Sequence, residues 1–147
     1  MRKMPLTLMC LLLTVAGCKK EKPFVEPAYV FAKWTRATET LNYRDYVSCE
    51  AYPKSEGVFR EKFRYTYYSE MMPVEVGDAV ERRDPHENGK GRYKKRTVQF
   101  ECAEVRRRDR KHVRVLRGEV DFIRFLEGKN AKKGWLMWNR NIVRIDR

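Results

Sequence analysis

Few residues in this chain have chemistry to offer. They are four cysteines, two histidines and one aspartate set in an apolar, strand-like run. Cys18 ends a greasy stretch, follows the small residues Ala16 and Gly17 and stands before Lys19-Lys20. A thiol in that setting can be structural, can ligate a metal, or can be the nucleophile that is alkylated when something is attached. No C-x-x-C, H-E-x-x-H or calcium-loop pattern occurs, so neither a metal nor a cofactor is expected. His86 lies in the turn-rich "RRDPHENGKG", and His112 lies between "RRDRK" and an apolar run. Neither has an acid–base partner nearby, and both read as exposed loop residues. Asp121, between Val120 and Phe122 in "EVDFIRF", is the candidate catalytic base. A carboxylate works in that role when it faces an apolar cavity that raises its pKa.

The surroundings of Cys18 single it out. Met1-Arg2-Lys3 precedes a run that is apolar from Leu6 to Val15, broken only by Thr7 and Thr14. A charged start followed by a short apolar run is the pattern of an export signal. The run is well short of the roughly 20 residues that cross a bilayer as a helix. Val15-Ala16-Gly17-Cys18 resembles the lipobox of bacterial lipoproteins. That resemblance implies a diacylglycerol on the sulfur of Cys18 and cleavage between Gly17 and Cys18. Two or three acyl chains, at ~0.8 kcal/mol per buried methylene, hold a protein durably on a membrane. Lys19, where that family's sorting rule reads Asp as retention at the inner membrane, points to the outer membrane and a periplasm-facing domain. The chain then divides into a removed signal (1–17), a short charged tether (18–27) and a single domain (28–147).

Processing removes Arg2 and Lys3, which lowers the net charge from +13 to +11. Such a surplus attracts polyanions. In an envelope these are anionic lipid headgroups and acidic polymers, so nucleic acid is not an expected partner. A solvated basic surface with no special partner accounts for the same charge. Cys10 leaves with the signal, and Cys49 and Cys102 remain in a compartment where disulfides persist. A bridge between them would close a loop of about 50 residues and contribute ~4 kcal/mol. Two separate, half-buried thiols are the alternative.

The elements that must position these residues change character at mid-chain. Val30, Trp34, Ala37 and Leu41 recur at steps of three or four, with Phe31 beside them, in a helix that Pro27 can open. Lys33, Arg36, Glu39 and Thr40 fall mostly on the other face. Asn42 ends that helix or caps a second, short one in "YRDYVSCEAY", which Pro53 closes. "SEGVFREKFRYTYYSEMM" predicts a third helix with Phe59, Phe63, Thr66 and Tyr67 on one side and Pro73 as its stop. Beyond it, "PVEVGDAV", "RYKKRTVQFECAEVR", "KHVRVLRGEVDFIRFL" and "GWLMWNRNIVRI" alternate as strands of an antiparallel meander. Val113 and Val115 fall out of phase with Val120 and Phe122, which predicts a bulge near Arg117-Gly118 and a bent sheet. The last strand slips similarly around Asn139. With the bulge Asp121 faces outward. Without it Glu119 and Asp121 would point inward together, at the cost of two unpaired buried carboxylates, so outward is preferred.

A long first helix, a short second one beginning "NYRDYVSC", a third, and long bent strands ending in "GWLMWNRNIVRI" resemble the nuclear transport factor 2-like superfamily. Asn42, Asp45, Tyr46 and Val47 match its segment after the first helix, and Gly134-Trp135 matches the start of its last strand. The resemblance implies an α+β fold, with N-terminal helices packed in a strongly curved antiparallel sheet to form a cone. It also implies a cone mouth able to hold a small molecule, and sheet-to-sheet homodimers are common in that superfamily. Tyr46, Tyr67 and Trp138, with Tyr43 and Trp135, are the aromatics that can line such a pocket, although aromatics also fill ordinary cores. The expected function is non-catalytic binding or scaffolding, with an envelope protein among the candidate partners. Two alternatives remain: an isomerase-like enzyme using Asp121, and a basic module docking on anionic polymer or lipid.

Overall fold

A computed structural model describes residues 26–83 and 91–146. Cys10, Cys18, most of the tether and His86 lie outside them. Three helices come first: α1 (Glu26–Thr40), α2 (Tyr43–Cys49) and α3 (Glu56–Lys62). Strands β1 (Thr66–Val76), β2 (Val80–Arg82), β3 (Tyr93–Arg106), β4 (His112–Phe125) and β5 (Trp135–Asp146) follow, with a 3-10 turn at Ala131–Lys133 before β5. The architecture is α+β, with an open antiparallel sheet in the order β1-β3-β4-β5 and β2 paired to β3.

α1 buries the stripe its spacing predicts: Val30, Phe31, Trp34 and Ala37, with Thr38 alongside. Phe31 meets Phe100 at 5.9 Å and Phe122 at 5.5 Å, edge to face. Trp34 stacks on Tyr68 at 5.6 Å and meets Phe63 at 5.7 Å. Burial of each such side chain is worth ~1.5–3 kcal/mol, which is what anchors α1 to β1, β3 and β4. Leu41 closes α1 in the left-handed region (φ 54), and the Asn42 N–H returns to the Ala37 carbonyl at 2.9 Å. Asn42 then caps α2. Its Oδ1 accepts the Asp45 N–H at 3.2 Å, and its amide donates to the Asp45 carboxylate at 2.9 Å.

The third helix is shorter than its apolar spacing predicts. α3 ends at Lys62, and Thr66 and Tyr67 belong to β1, which runs through Pro73. β-branched and aromatic residues from Thr66 to Tyr68 pair with Glu104–Arg106 of β3, and that ladder outweighs the helical period. Pro73 is tolerated because β1 is an edge strand with register shifts on both sides of it.

A bulge does fall at Arg117-Gly118, as predicted, but its extra residue belongs to β5 and not to β4. β4 runs against β3 without interruption from Phe125 to Arg114, so Arg117-Gly118 is regular on that side. The register shifts lie in the β4–β5 pairing, where the extra residues belong to β5, one at Asn139–Arg140 and one at Val143. Asn139 takes φ 46, in line with the slip expected around it. Gly118 serves close approach instead of bending: a Cβ there would stand 2.3 Å from the Asn141 carbonyl oxygen and 2.8 Å from the Phe100 ring. With no bulge in β4, Val113 and Val115 stay on the face opposite Val120 and Phe122, 47% and 36% exposed.

The main core joins α1, α2 and Phe59 and Phe63 to the helix-facing sides of β3, β4 and β5. A smaller cluster of Tyr93, Ile123 and Leu136 occupies the other side of the sheet. The chain leaving α2 reaches it: Glu50 bridges Met137 in parallel, and the Ala51 N–H donates to the Met137 carbonyl at 2.9 Å. That short strap carries Ala51 and Tyr52 onto the second cluster.

Candidate functional site

A cavity of about 240 Å³ opens where this strap, α3 and the start of β5 meet. Tyr46 comes from α2, Glu50 and Lys54 from the strap, Phe59 and Lys62 from α3, and Trp138 and Arg140 from β5. Aromatic packing sets the walls. Tyr46 lies 4.5 Å from Phe59, Phe59 lies 5.3 Å from Phe63, and Trp138 meets Tyr52 edge-on at 6.5 Å.

Its polar centre is Glu50, only 6% exposed. The Trp34 indole N–H donates to Oε1 at 2.7 Å, and Arg140 Nη1 stands 2.7 Å from the same oxygen. The contact is an ion pair between a buried guanidinium nitrogen and a buried carboxylate. The Arg140 guanidinium lies 4.6 Å over the Trp34 ring. Two groups thus hold one buried carboxylate, Arg140 by opposite charge and Trp34 by a hydrogen bond, which is what makes a charge tolerable there.

The slip in β5 puts Arg140 in place. In regular alternation after Trp138, which pairs with Asp121, Arg140 would share the side of Trp138, away from the helices. The extra residue at Asn139 returns it to the helix-facing side, opposite Val120. Lys62 adds a second cation, its ammonium 5.5 Å over the Phe63 ring. Burial lowers its pKa first, the nearby Arg140 lowers it further, and Glu50 opposes the shift. The residue stays solvent-exposed along much of its length, so the effect on stability is screened. Tyr46 is held neutral: burial raises its pKa, as does Glu50, while its hydroxyl accepts the Lys54 N–H at 3.3 Å.

Of the predicted aromatics, Tyr46 and Trp138 line this one cavity. Tyr67 lies apart, buried with Ala103 and Val105 beneath the Arg107 guanidinium at 5.2 Å. Trp135 lines a second cavity of about 190 Å³ together with Tyr29, Lys33 and Cys49. Contrary to the expectation for a strand without a bulge, Asp121 points away from the helices. The regular β4 gives their side to Leu116, Val120 and Phe122 and leaves Val113 and Val115 on the side of Asp121, which lines neither cavity. It accepts from Thr97 Oγ1 at 2.8 Å and pairs with Lys95 Nζ at 3.1 Å. Cys49 and Cys102 are free thiols in the main core. Burial raises their pKa values to about 11 and about 12. His112 is exposed at the head of β4. Among the described residues no group of three or more His, Cys, Asp or Glu side chains could hold a metal ion.

Glu50, Lys54, Lys62 and Arg140 were not among the residues the sequence nominated. Each is one charge among many, and only the slip at Asn139 distinguishes Arg140 from the outward arginines. Compared with protein-family models, curated proteins and solved structures, the chain matches none.

Proposed function

We propose that this chain is a lipid-anchored protein of the bacterial envelope, tethered through Cys18 and facing the periplasm. Its domain, nuclear transport factor 2-like in fold, binds a small molecule beside β5 without transforming it. The lipobox-like Val15-Ala16-Gly17-Cys18 supports the anchor. The order of three helices followed by long antiparallel strands, with irregular pairing in β1 and β5, supports the fold.

One observation carries the binding reading over catalysis. Among the described residues Glu50 is the one carboxylate lining the cavity, and Trp34 and Arg140 already hold it. A general base must reach a substrate proton with a free lone pair, and a doubly engaged carboxylate is poorly placed for that. Asp121 is occupied by Thr97 and Lys95 on the far side of the sheet.

The test uses the mature chain from residue 18 with Cys18→Ser, screened by ligand-observed NMR against small neutral, anionic and cationic aromatics. Val58 is 52% exposed at the cavity, so Val58→Trp should plug it without disturbing the core. Binding that disappears in Val58→Trp is expected. Absence of any binder, or binding untouched by the plug, rejects the reading. Labelled fatty acid retained by full-length Cys18→Ser protein would reject the anchor.

A further inference from the structure

We infer that the ligand of this cavity is a small organic anion, a flat apolar body ending in one carboxylate or phosphate, with its acidic end between Lys62 and Arg140. The inference rests on the binding reading above and adds the chemical class of the ligand.

Charge makes the first argument. Among the described residues Lys54, Lys62 and Arg140 line the space together with one acid, Glu50. Arg140 offsets Glu50 at 2.7 Å, which leaves both ammonium groups uncompensated among the lining residues. Cations gathered at a partly dehydrated wall repel one another, and the lowered pKa of Lys62 has that origin, with burial first and Arg140 second. An anion entering the space relieves both effects.

Hydrogen bonding makes the second. A guanidinium carries five N–H groups in a rigid fork suited to carboxylate and phosphate oxygens. Glu50 holds the buried Nη1 at 2.7 Å and the Trp34 ring fixes the plane of Arg140, whose side chain is 19% exposed and lines the cavity. Glu50 therefore acts as the group that orients Arg140, and the ligand meets the cation.

Shape makes the third. About 240 Å³ is the space of about eight waters and lies below the ~300–1,000 Å³ of sites for larger ligands. Rings of Tyr46, Phe59 and Trp138 supply the walls. One ring with one acidic group fits that description, and an amine of the same shape meets three cations.

Calorimetric titration of the mature Cys18→Ser protein at low salt, with benzoate, phenyl phosphate, benzyl alcohol and benzylamine, tests this. Benzoate and phenyl phosphate should bind, benzyl alcohol about tenfold more weakly, and benzylamine not at all. Lys62→Met should lower benzoate affinity about tenfold while leaving benzyl alcohol unchanged, and Lys62→Arg should keep most of the affinity. Lys54→Met, an exposed change, should weaken benzoate in the same sense. Added salt should weaken the anions alone. Benzyl alcohol or benzylamine binding as tightly as benzoate, with Val58→Trp abolishing it, would overturn the anion assignment and leave the cavity a binding site. No binding by any of the four would overturn both.

Discussion

Arg140 stands 2.7 Å from Glu50, and the two meet over Trp34, whose ring lies under the guanidinium and whose indole N–H donates to the carboxylate. Residues from α1, the strap and β5 are locked together at one point, where a buried charge is balanced instead of avoided. Glu50→Gln would leave Arg140 without its counter-charge in a site where its side chain is 19% exposed. The expected cost is about 3 kcal/mol in urea unfolding, with part of it recovered in Glu50→Gln/Arg140→Met because that double change buries no charge. A single variant within about 0.5 kcal/mol of wild type would show that the pair contributes little.

Two glycines should respond to alanine with opposite signs. At Gly118 the new methyl would strike the Asn141 carbonyl oxygen and the Phe100 ring, so Gly118→Ala should destabilise by at least about 2 kcal/mol. At Gly57, inside α3, nothing lies within 4 Å of the added carbon, and Gly57→Ala should stabilise by about 0.5–1 kcal/mol. Thermal melts of the two variants check the pair together.

Arg107, in the turn between β3 and β4, ties off two helices. It donates to the Phe63 carbonyl at 3.1 Å and the Thr38 carbonyl at 2.8 Å, and also to the Glu39 carbonyl. Those carbonyls end α3 and α1, where no intrahelical partner exists. Arg107→Ala should cost about 2 kcal/mol. It should also speed amide exchange in the last turn of α1. Lys at this position should not rescue, because one ammonium cannot serve both helix ends.

The buried thiols predict a loss of stability in alkali. Burial raises the Cys49 pKa from 9.0 to about 11 and the Cys102 pKa from 9.0 to about 12. Above pH 9 the unfolded chain ionises these groups while the native state keeps them protonated, so proton release favours unfolding. Stability should be level below pH 9 on their account and fall by about 1.4 kcal/mol per pH unit per thiol above it. For Cys49 the loss runs to about pH 11. Cys49→Ala should remove its share of the slope, read as the difference between the two proteins' urea midpoints from pH 8 to pH 10.5. Equal slopes would refute the burial effect.

Asp121→Asn should leave ligand binding unchanged, because its carboxylate is spent on Thr97 and Lys95 away from the cavity. Stability should fall by about 1–2 kcal/mol, in keeping with a partly buried pair, 31% exposed at Lys95 and 17% at Asp121. Loss of ligand affinity in this variant, measured by the same titration, would contradict the placement of the site.

Much of the fold was legible because it rests on short-range periodicity. The stripe of α1, the Asn42 cap and the boundaries of β3, β4 and β5 follow from residue type and spacing within a few turns or pleats. Phe59, Phe63, Thr66 and Tyr67 satisfy a helical period, and only pairing with β3 places the last two in β1. Alternation in β4 showed that its valines were out of phase. It did not show that the strand would stay regular, leave two of them exposed and pass the slip to β5.

The amino-acid order alone carries the helix-then-strand α+β plan, and it is the sole ground for the proposed export signal and attachment cysteine, since each depends on composition or on neighbours in the chain. The tertiary structure decided which charges share a space. Glu50, Lys62 and Arg140 come from three separate segments, and one left-handed residue in β5 selects the side of the sheet on which Arg140 stands. Side-chain direction in a strand alternates residue by residue, so a single inserted position inverts it, and pairing across the sheet is what selects that position.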